Sequence, residues 1–159
     1  MEGQLSSLVI TKEDIDTING LFSQYLIDSQ AKDFILLNKS GELLAKSGTV
    51  TQESAIAVSA LAAGVFSATN ELAKLLGERE FTLTFHQGTE TNIHISLVSP
   101  LILLAVIFDN KAPIGAIRFW AKKIASSIRP ILDRMTEAPR QKPSQDLRQG
   151  LHDEIDNLF

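Results

Sequence analysis

The chain has 159 residues, 44% of them hydrophobic, and its 15 Lys and Arg against 19 Asp and Glu give a formal net charge of −4. This length suggests one domain with a tail, and the absence of cysteine excludes a disulfide framework, an Fe–S cluster, a cysteine-ligated zinc site and a cysteine nucleophile. A net negative charge does not favour binding to nucleic acid or to anionic lipid.

The first half of the chain predicts a helix, a hairpin and a second helix. Apolar residues at helical spacing predict a helix over 11–30. Two short strands at 34–37 and 43–45 are separated by turn residues and predict a hairpin. A long helix is predicted from about Gln52 to Leu76, with Thr49 or Thr51 as its cap and Gly77 in the left-handed position beyond its end.

Three strands and a last helix follow. Residues 81–86 and 92–97 alternate apolar and polar side chains, so each predicts a strand with one buried face. Residues 101–108 are continuously apolar and predict a central strand that is covered on both faces. The last long helix is predicted to begin near Pro113, because proline is favoured in the first helical turn.

The C-terminal part departs from this pattern. Pro130 lies inside the last helix and predicts a kink or an early end there. A linker at 136–145 precedes a short acidic amphipathic helix at 146–159, which has no local packing partner. The order α-ββ-α-βββ-α predicts an α/β (α+β) fold, in which helices cover both faces of a five-stranded, mostly antiparallel sheet.

A search for catalytic chemistry finds no catalytic site, metal or cofactor. The chain has no G-x-S-x-G nucleophile elbow and no H-E-x-x-H zinc motif. His86 and His94 lie on the polar sides of neighbouring predicted strands, and without a third ligand we interpret them as exposed surface histidines. The sequence therefore predicts a protein that is not an enzyme and binds no cofactor. With no targeting signal and no apolar run near 20 residues, we expect it in the cytoplasm and not in a membrane.

The middle helix carries two stripes. The larger apolar residues form the stripe predicted to cover the sheet: Val58, Leu61, Val65, Ala68, Leu72 and Leu75. Small residues dominate a second stripe about 200° around the helix: Ala60, Gly64, Ser67, Glu71 and Lys74, flanked by Ala63 and Phe66. Because small residues let another backbone approach closely, the second stripe predicts a contact surface; the alternative is an exposed face of low relief with no partner.

The last helix has a basic outer side, formed by Arg118, Lys122, Lys123, Arg129 and Arg134. Basic helices bind nucleic acid or lipid in some proteins. The acidic chain and the lack of aromatics at stacking spacing favour a solvated face here, with an acidic partner or the acidic tail as the alternative.

Several blocks of sequence resemble one known family. Residues 61–64 (LAAG), 72–78 (LAKLLGE) and 85–88 (FHQG), together with the element order, resemble the roadblock family of dynein-associated and GTPase-regulating proteins. Three further blocks, 106–110 (VIFDN), 115–118 (GAIR) and 153–159 (DEIDNLF), are similar to its MglB-like bacterial members.

The resemblance implies a domain plan and a homodimer. The roadblock domain would span 1–135, a flexible linker 136–145 and a docking helix 146–159. Family members dimerise by pairing edge strands into one sheet, with the middle helices side by side. The implied dimer interface contains Phe66, Phe81, Leu83 and Phe85.

The resemblance also implies a partner. MglB-like dimers activate a small Ras-like GTPase of the MglA type, two protomers to one GTPase, in bacterial cell polarity and motility, and a cell pole is then the expected place of concentration. They remodel the switch region of the GTPase without an arginine finger. The implied GTPase-binding residues are Ala60, Ala63, Gly64, Ser67, Glu71, Ile155, Leu158 and Phe159.

Two other functions remain open at this point. A roadblock scaffold could bind a GTPase or a polarity protein without accelerating hydrolysis, and no sequence feature separates it from an activator. A profilin- or sensor-like domain would hold a small ligand against its sheet. That function needs a cavity, whereas the unbroken apolar stripes predict a filled interior.

Overall fold

The computed structural model describes residues 10–137 as three helices and one antiparallel sheet of five strands. In chain order the elements are α1 (Lys12–Ser29), β1 (Asp33–Asn38), β2 (Leu43–Gly48), α2 (Gln52–Leu75), β3 (Leu83–Gln87), β4 (Thr91–Ser99), β5 (Ile102–Asp109) and α3 (Ile114–Glu137). The predicted α+β fold and its order are confirmed. The first two residues of the predicted linker, 136 and 137, end α3. The rest of the linker and the docking helix, with Ile155, Leu158 and Phe159, lie outside the described residues.

The sheet has the strand order β2-β1-β5-β4-β3, and each neighbouring pair is antiparallel. Strand β5 lies at its centre and is buried over nearly its whole length, as its continuous apolar sequence predicts. The strand predicted at 81–86 begins and ends later, at Leu83 and Gln87, and forms one edge of the sheet.

Helices α1 and α3 cover one face of the sheet, and α2 covers the other. The first core joins Phe22 of α1 and Ile117 and Ile124 of α3 to Leu104 of β5. The second core joins Ala62 and Phe66 of α2 to strand residues that include Ile35 and Leu103. Each strand in the middle of the sheet therefore sends alternate side chains into two separate cores.

The sequence prediction for α2 chose the wrong face. Of the stripe of larger residues, Val58 packs at the edge of the core beneath α2, whereas the stripe residues from Leu61 to Leu75 are exposed and do not cover the sheet. The buried residues of α2 are mostly small: Ala55, Ser59, Ala62, Ala63, Phe66 and Ala73. The strands below supply bulky isoleucines and leucines, so a helix with short side chains packs close to them. The leucines of α2 are thereby turned outward.

The ends of α2 follow the prediction. The Thr51 side chain accepts a hydrogen bond from the backbone N–H of Ser54 at 3.2 Å and caps the first turn. Gly77 has φ +82° in the left-handed region, and the N–H of Glu78 donates to the carbonyl of Ala73. This pattern is a Schellman motif, which satisfies the last carbonyls of the helix.

Of the kink or early end predicted at Pro130, the early end is excluded, because α3 continues to Glu137 with the proline inside it. The prediction for His94 is wrong. His94 is not an exposed histidine: only 3% of it is accessible, because α3 covers the polar side of β4. Strand β4 is therefore covered on both faces, whereas its alternating sequence predicted one buried face.

Candidate protein-binding surface

Helix α2 exposes a row of large apolar side chains, here called the leucine face: Leu61, Val65, Leu72 and Leu75. Their exposed fractions are 72%, 36%, 51% and 84%, respectively. A contiguous exposed apolar patch on a folded domain often marks a site of contact with another molecule. The leucine face is the surface that sequence reasoning missed, because the same residues were assigned to the sheet.

Among the described helices, α2 is the one that is long and apolar enough to cross a membrane by length and composition. One such helix is weak grounds for a membrane span. Only 28% of its most apolar window is buried within the domain, and the residues that are buried there pack on β1 and β2. We interpret the remaining apolar surface as a protein contact.

The predicted small-residue stripe contacts other parts of the domain at one end and is exposed at the other. Ala63 is buried at 7% exposure and belongs to the core under α2. Ala60 lies over the β1–β2 turn, where a Cβ on Gly41 would be 3.1 Å from the Ala60 Cα. The close approach of this turn to the helix explains why residues 60 and 63 are small.

The rest of that stripe is open, and its residues Gly64, Ser67 and Glu71 are here called the small face. A Cβ added to Gly64 would meet nothing within 4 Å apart from the helix's own backbone. Glycine inside a helix costs roughly 1 kcal/mol relative to alanine, and nothing within the described domain requires it at this position. Glu71 pairs with Lys74 at 3.1 Å along the exposed side of the helix.

Strand β3 is an edge strand of the sheet formed by the described residues. The carbonyl of Thr82 accepts from the N–H of Leu97 on β4. Since backbone groups in an antiparallel ladder alternate in direction, the N–H and C=O of Leu83 and Phe85 point away from β4. Such an edge is a template for pairing with another strand.

The predicted dimer residues fall into different environments. Leu83 and Phe85 lie on the edge strand and are 36% and 38% exposed. Phe81 is half-buried and precedes the strand. Phe66 is 2% exposed and packs in the core beneath α2, so it faces its own sheet and not a free surface.

A groove of about 320 Å³ lies between α3 and the strands β3 and β4. His94 lines it, and burial, reinforced by the positive charge of Arg118, lowers the pKa of the His94 imidazole to about 4. Neither ring nitrogen of His94 has a hydrogen-bond partner among the described residues.

Aromatic rings do lie beside the basic residues of α3, contrary to the sequence interpretation. Phe119 and Trp120 meet edge to face with centroids 5.3 Å apart, and the Nζ of Lys123 is 5.2 Å from the Trp120 centroid. Within residues 10–137, no three His, Asp or Glu side chains are grouped as metal ligands.

Comparison with known proteins places this geometry in a family. Residues 18–108, more than half of the chain, match the family model for the Roadblock/LC7 domain. Myxococcus xanthus MglB is 32% identical at a TM-score of 0.69, and the match covers 74% of this chain and 95% of that one. The gliding protein MglB from Thermus thermophilus is 26% identical at a TM-score of 0.74, with 80% and 97% of the two chains covered.

A third MglB structure, described as having a tetrameric arrangement, is 26% identical at a TM-score of 0.75, and the match covers 81% of this chain and 97% of that one. Profilin IA from Acanthamoeba castellanii, at 12% identity and a TM-score of 0.50 over 69% of this chain and 94% of that one, shares the fold alone. No curated protein matches the sequence. The fold and the MglB structures together support an MglB-like role as a regulator. The chain is a member of the Roadblock/LC7 family.

Proposed function

We propose that this chain forms a homodimer that activates a small Ras-like GTPase of the MglA type, in the cytoplasm and concentrated at a cell pole, in bacterial cell polarity and motility. Two protomers bind one GTPase and remodel its switch region, and no arginine finger is inserted. Similarity to MglB structures at 26–32% identity supports the proposal. The observation that carries it is the pair of exposed faces on α2.

The two faces of α2 point in different directions. At 100° per residue, the leucine face and the small face each lie roughly 120° from the sheet-facing side. The leucine face can therefore pack against a second copy while Gly64 and Ser67 stay open to a third chain. This division gives the dimer a composite surface made of two α2 helices.

Activation without an arginine finger needs a shaped surface and no reactive side chain. Arginine fingers act by stabilising charge in the transition state of phosphoryl transfer. A regulator can instead favour the GTPase conformation in which the GTPase's own groups do so, provided that it binds this conformation more tightly than the others. Gly64 suits such a surface, since the absence of a side chain lets a partner approach the helix backbone.

The test is Gly64→Arg in a single-turnover assay of GTP hydrolysis with the cognate GTPase. The open space around Gly64 accommodates the arginine without disturbing the domain, so the variant should fold and lose stimulation. Gly20→Arg is the matched control, because Gly20 also lies inside an exposed helix with nothing within 4 Å of an added Cβ. It should stimulate like the wild type.

The outcomes separate activator from scaffold. Wild-type stimulation by the Gly64→Arg variant would refute the assignment of the small face. A wild-type protein that binds the GTPase in a pull-down yet leaves hydrolysis unchanged is the non-activating roadblock scaffold instead. Ile155, Leu158 and Phe159, outside the described residues, belong to the proposal as a second contact with the same GTPase.

A further inference from the structure

The groove between α3 and the β3–β4 edge combines apolar walls with an excess of hydrogen-bond donors. Leu83, Val98, Ala121 and Ala125 supply apolar lining, and its volume of about 320 Å³ lies at the lower end of the range of small-molecule pockets. The groove is on the side of the sheet opposite α2, so it is separate from both exposed faces of that helix.

The charged groups of the groove are both cationic, and its other polar side chains are His94 and the hydroxyls of Thr82 and Ser96. Arg118 and Lys122 line it from α3, and no Asp or Glu of the described residues does so. Guanidinium and ammonium groups donate hydrogen bonds and cannot accept them. A ligand that satisfies both must therefore offer acceptors, and a negative charge makes those hydrogen bonds stronger.

His94 supplies the second, independent observation. It lines the groove at 3% exposure, yet both ring nitrogens lack a partner within the described part of the chain. A buried polar group without a partner costs roughly 1–3 kcal/mol, so unpaired nitrogens in a native site call for a ligand or water. A neutral imidazole can donate one hydrogen bond from its protonated nitrogen.

We propose that this groove binds a small organic anion, a carboxylate carried on a short apolar chain. The carboxylate accepts hydrogen bonds from Arg118 and Lys122, and the chain lies along Leu83, Val98 and Ala121. The ring nitrogens of His94 are shielded in this structure, so its N–H donates to the carboxylate only after the ring turns toward the groove. This site uses none of the α2 residues of the proposed GTPase contact, and it shares Leu83 with the edge strand of the proposed dimer interface. A roadblock domain of this kind would carry a small-molecule site in addition to its protein-binding helix.

Three probes, tested on the full-length protein, separate the contributions of the carboxylate and of the apolar chain of the proposed ligand. Hexanoate has the charge and the chain, hexanamide keeps the chain without the charge, and acetate keeps the charge without the chain. We expect saturable shifts of the His94 ring resonances in NMR with hexanoate, and binding at least about tenfold weaker, or about 1.4 kcal/mol, for each of the others.

A pair of lysine variants locates the site. Lys122→Gln removes a charge that lines the groove and should weaken hexanoate binding several-fold in calorimetry. Lys123→Gln makes the same change one residue on, at a side chain that lies against Trp120 and Phe119, and should bind like the wild type.

Three results overturn the proposal. They are an absence of saturable His94 shifts with hexanoate, equal affinity for hexanoate and acetate, and equal losses in the two lysine variants, which would indicate a diffuse ionic effect. The GTPase assay of the Gly64→Arg variant is unaffected by any of these, so the two proposals fail separately.

Discussion

The buried side chain of His94 makes the free energy of unfolding of this domain depend on pH. Its imidazole lies under α3, and burial together with the charge of Arg118 lowers the pKa to about 4. The model-peptide value is about 6.5, and each unit of pKa difference between the folded and unfolded states is worth 1.36 kcal/mol. A group whose protonated form is disfavoured in the folded state destabilises the protein once the unfolded state takes up the proton.

The expected result is a loss of stability in mild acid. Above pH 6.5 His94 is neutral in both states and has no effect. As the pH falls from about 6.5 to about 4, the unfolded state binds the proton that the native state excludes, and the free energy of unfolding falls by roughly 2–3 kcal/mol before levelling off. Urea unfolding at pH 7.5 and pH 4.5, at one protein concentration, measures this difference.

Acid affects the stability of a protein through more than one group, so the contribution of His94 is isolated with variants. His94→Gln should lose the extra pH sensitivity, whatever its effect on stability at pH 7.5. His86→Gln is the matched control, because His86 lies on the exposed edge strand, and it should behave like the wild type. An unchanged pH dependence in the His94→Gln variant would contradict the prediction.

At the same scale, His94 also shows where the sequence stops being informative. Asn92, His94 and Ser96 are polar and alternate with isoleucine and leucine, which is typical of a strand with one solvated face. The polar side of β4 is covered because α3 packs on it. This contact joins segments that are far apart in the chain, so the local sequence of β4 does not indicate it. Gly77, by contrast, could be placed from the sequence, since the left-handed end of a helix is a local requirement.

At the scale of elements, the sequence located the helices and strands well but oriented α2 wrongly. Helix α3 has one apolar stripe and one basic side, so only one orientation buries it well. Helix α2 is apolar or small around most of its circumference, and size alone suggested that its leucines face the sheet. The facing strand residues, such as Ile35 and Leu103, are themselves large, so close packing selects Ala55, Ala62 and Ala63 instead.

The β3 edge carries a prediction of its own. The N–H of Phe85 points away from β4, so Phe85→Pro removes a donor from the free edge without breaking the internal ladder. If β3 pairs with its copy in the dimer, this variant should weaken dimerisation in sedimentation velocity. Phe85→Val keeps the N–H and loses the aromatic ring that stacks on Phe108 at 6.0 Å, and it should remain dimeric.

These two variants separate backbone from side chain. A dimer that survives Phe85→Pro would exclude pairing through this edge. A monomer from both variants would mean that the ring at position 85, and not the backbone, holds the protomers together.

At the scale of the whole molecule, some of the apolar residues are not part of the core of the domain and lie on the surface of α2 instead. Apolar area removed from water contributes roughly 25 cal/mol per Å², so leucines that are half to four-fifths exposed gain stability only when another molecule covers them. A second copy of the chain covers them in the proposed homodimer, in which the α2 helices lie side by side. The leucine face, which the sequence prediction placed against the sheet, therefore contributes to the proposed function by holding two protomers together.

Leu61→Asp tests this connection. A carboxylate within an apolar contact is costly to desolvate, so we expect the dimer dissociation constant to rise at least about a hundredfold, or about 3 kcal/mol. Light scattering across a dilution series measures it. Ile27→Asp is the matched control, because Ile27 is an exposed aliphatic residue on α1, at 81% against 72% for Leu61, on the other side of the sheet. The control should dimerise like the wild type; a Leu61→Asp variant that does the same would show that the leucine face is not the contact between protomers.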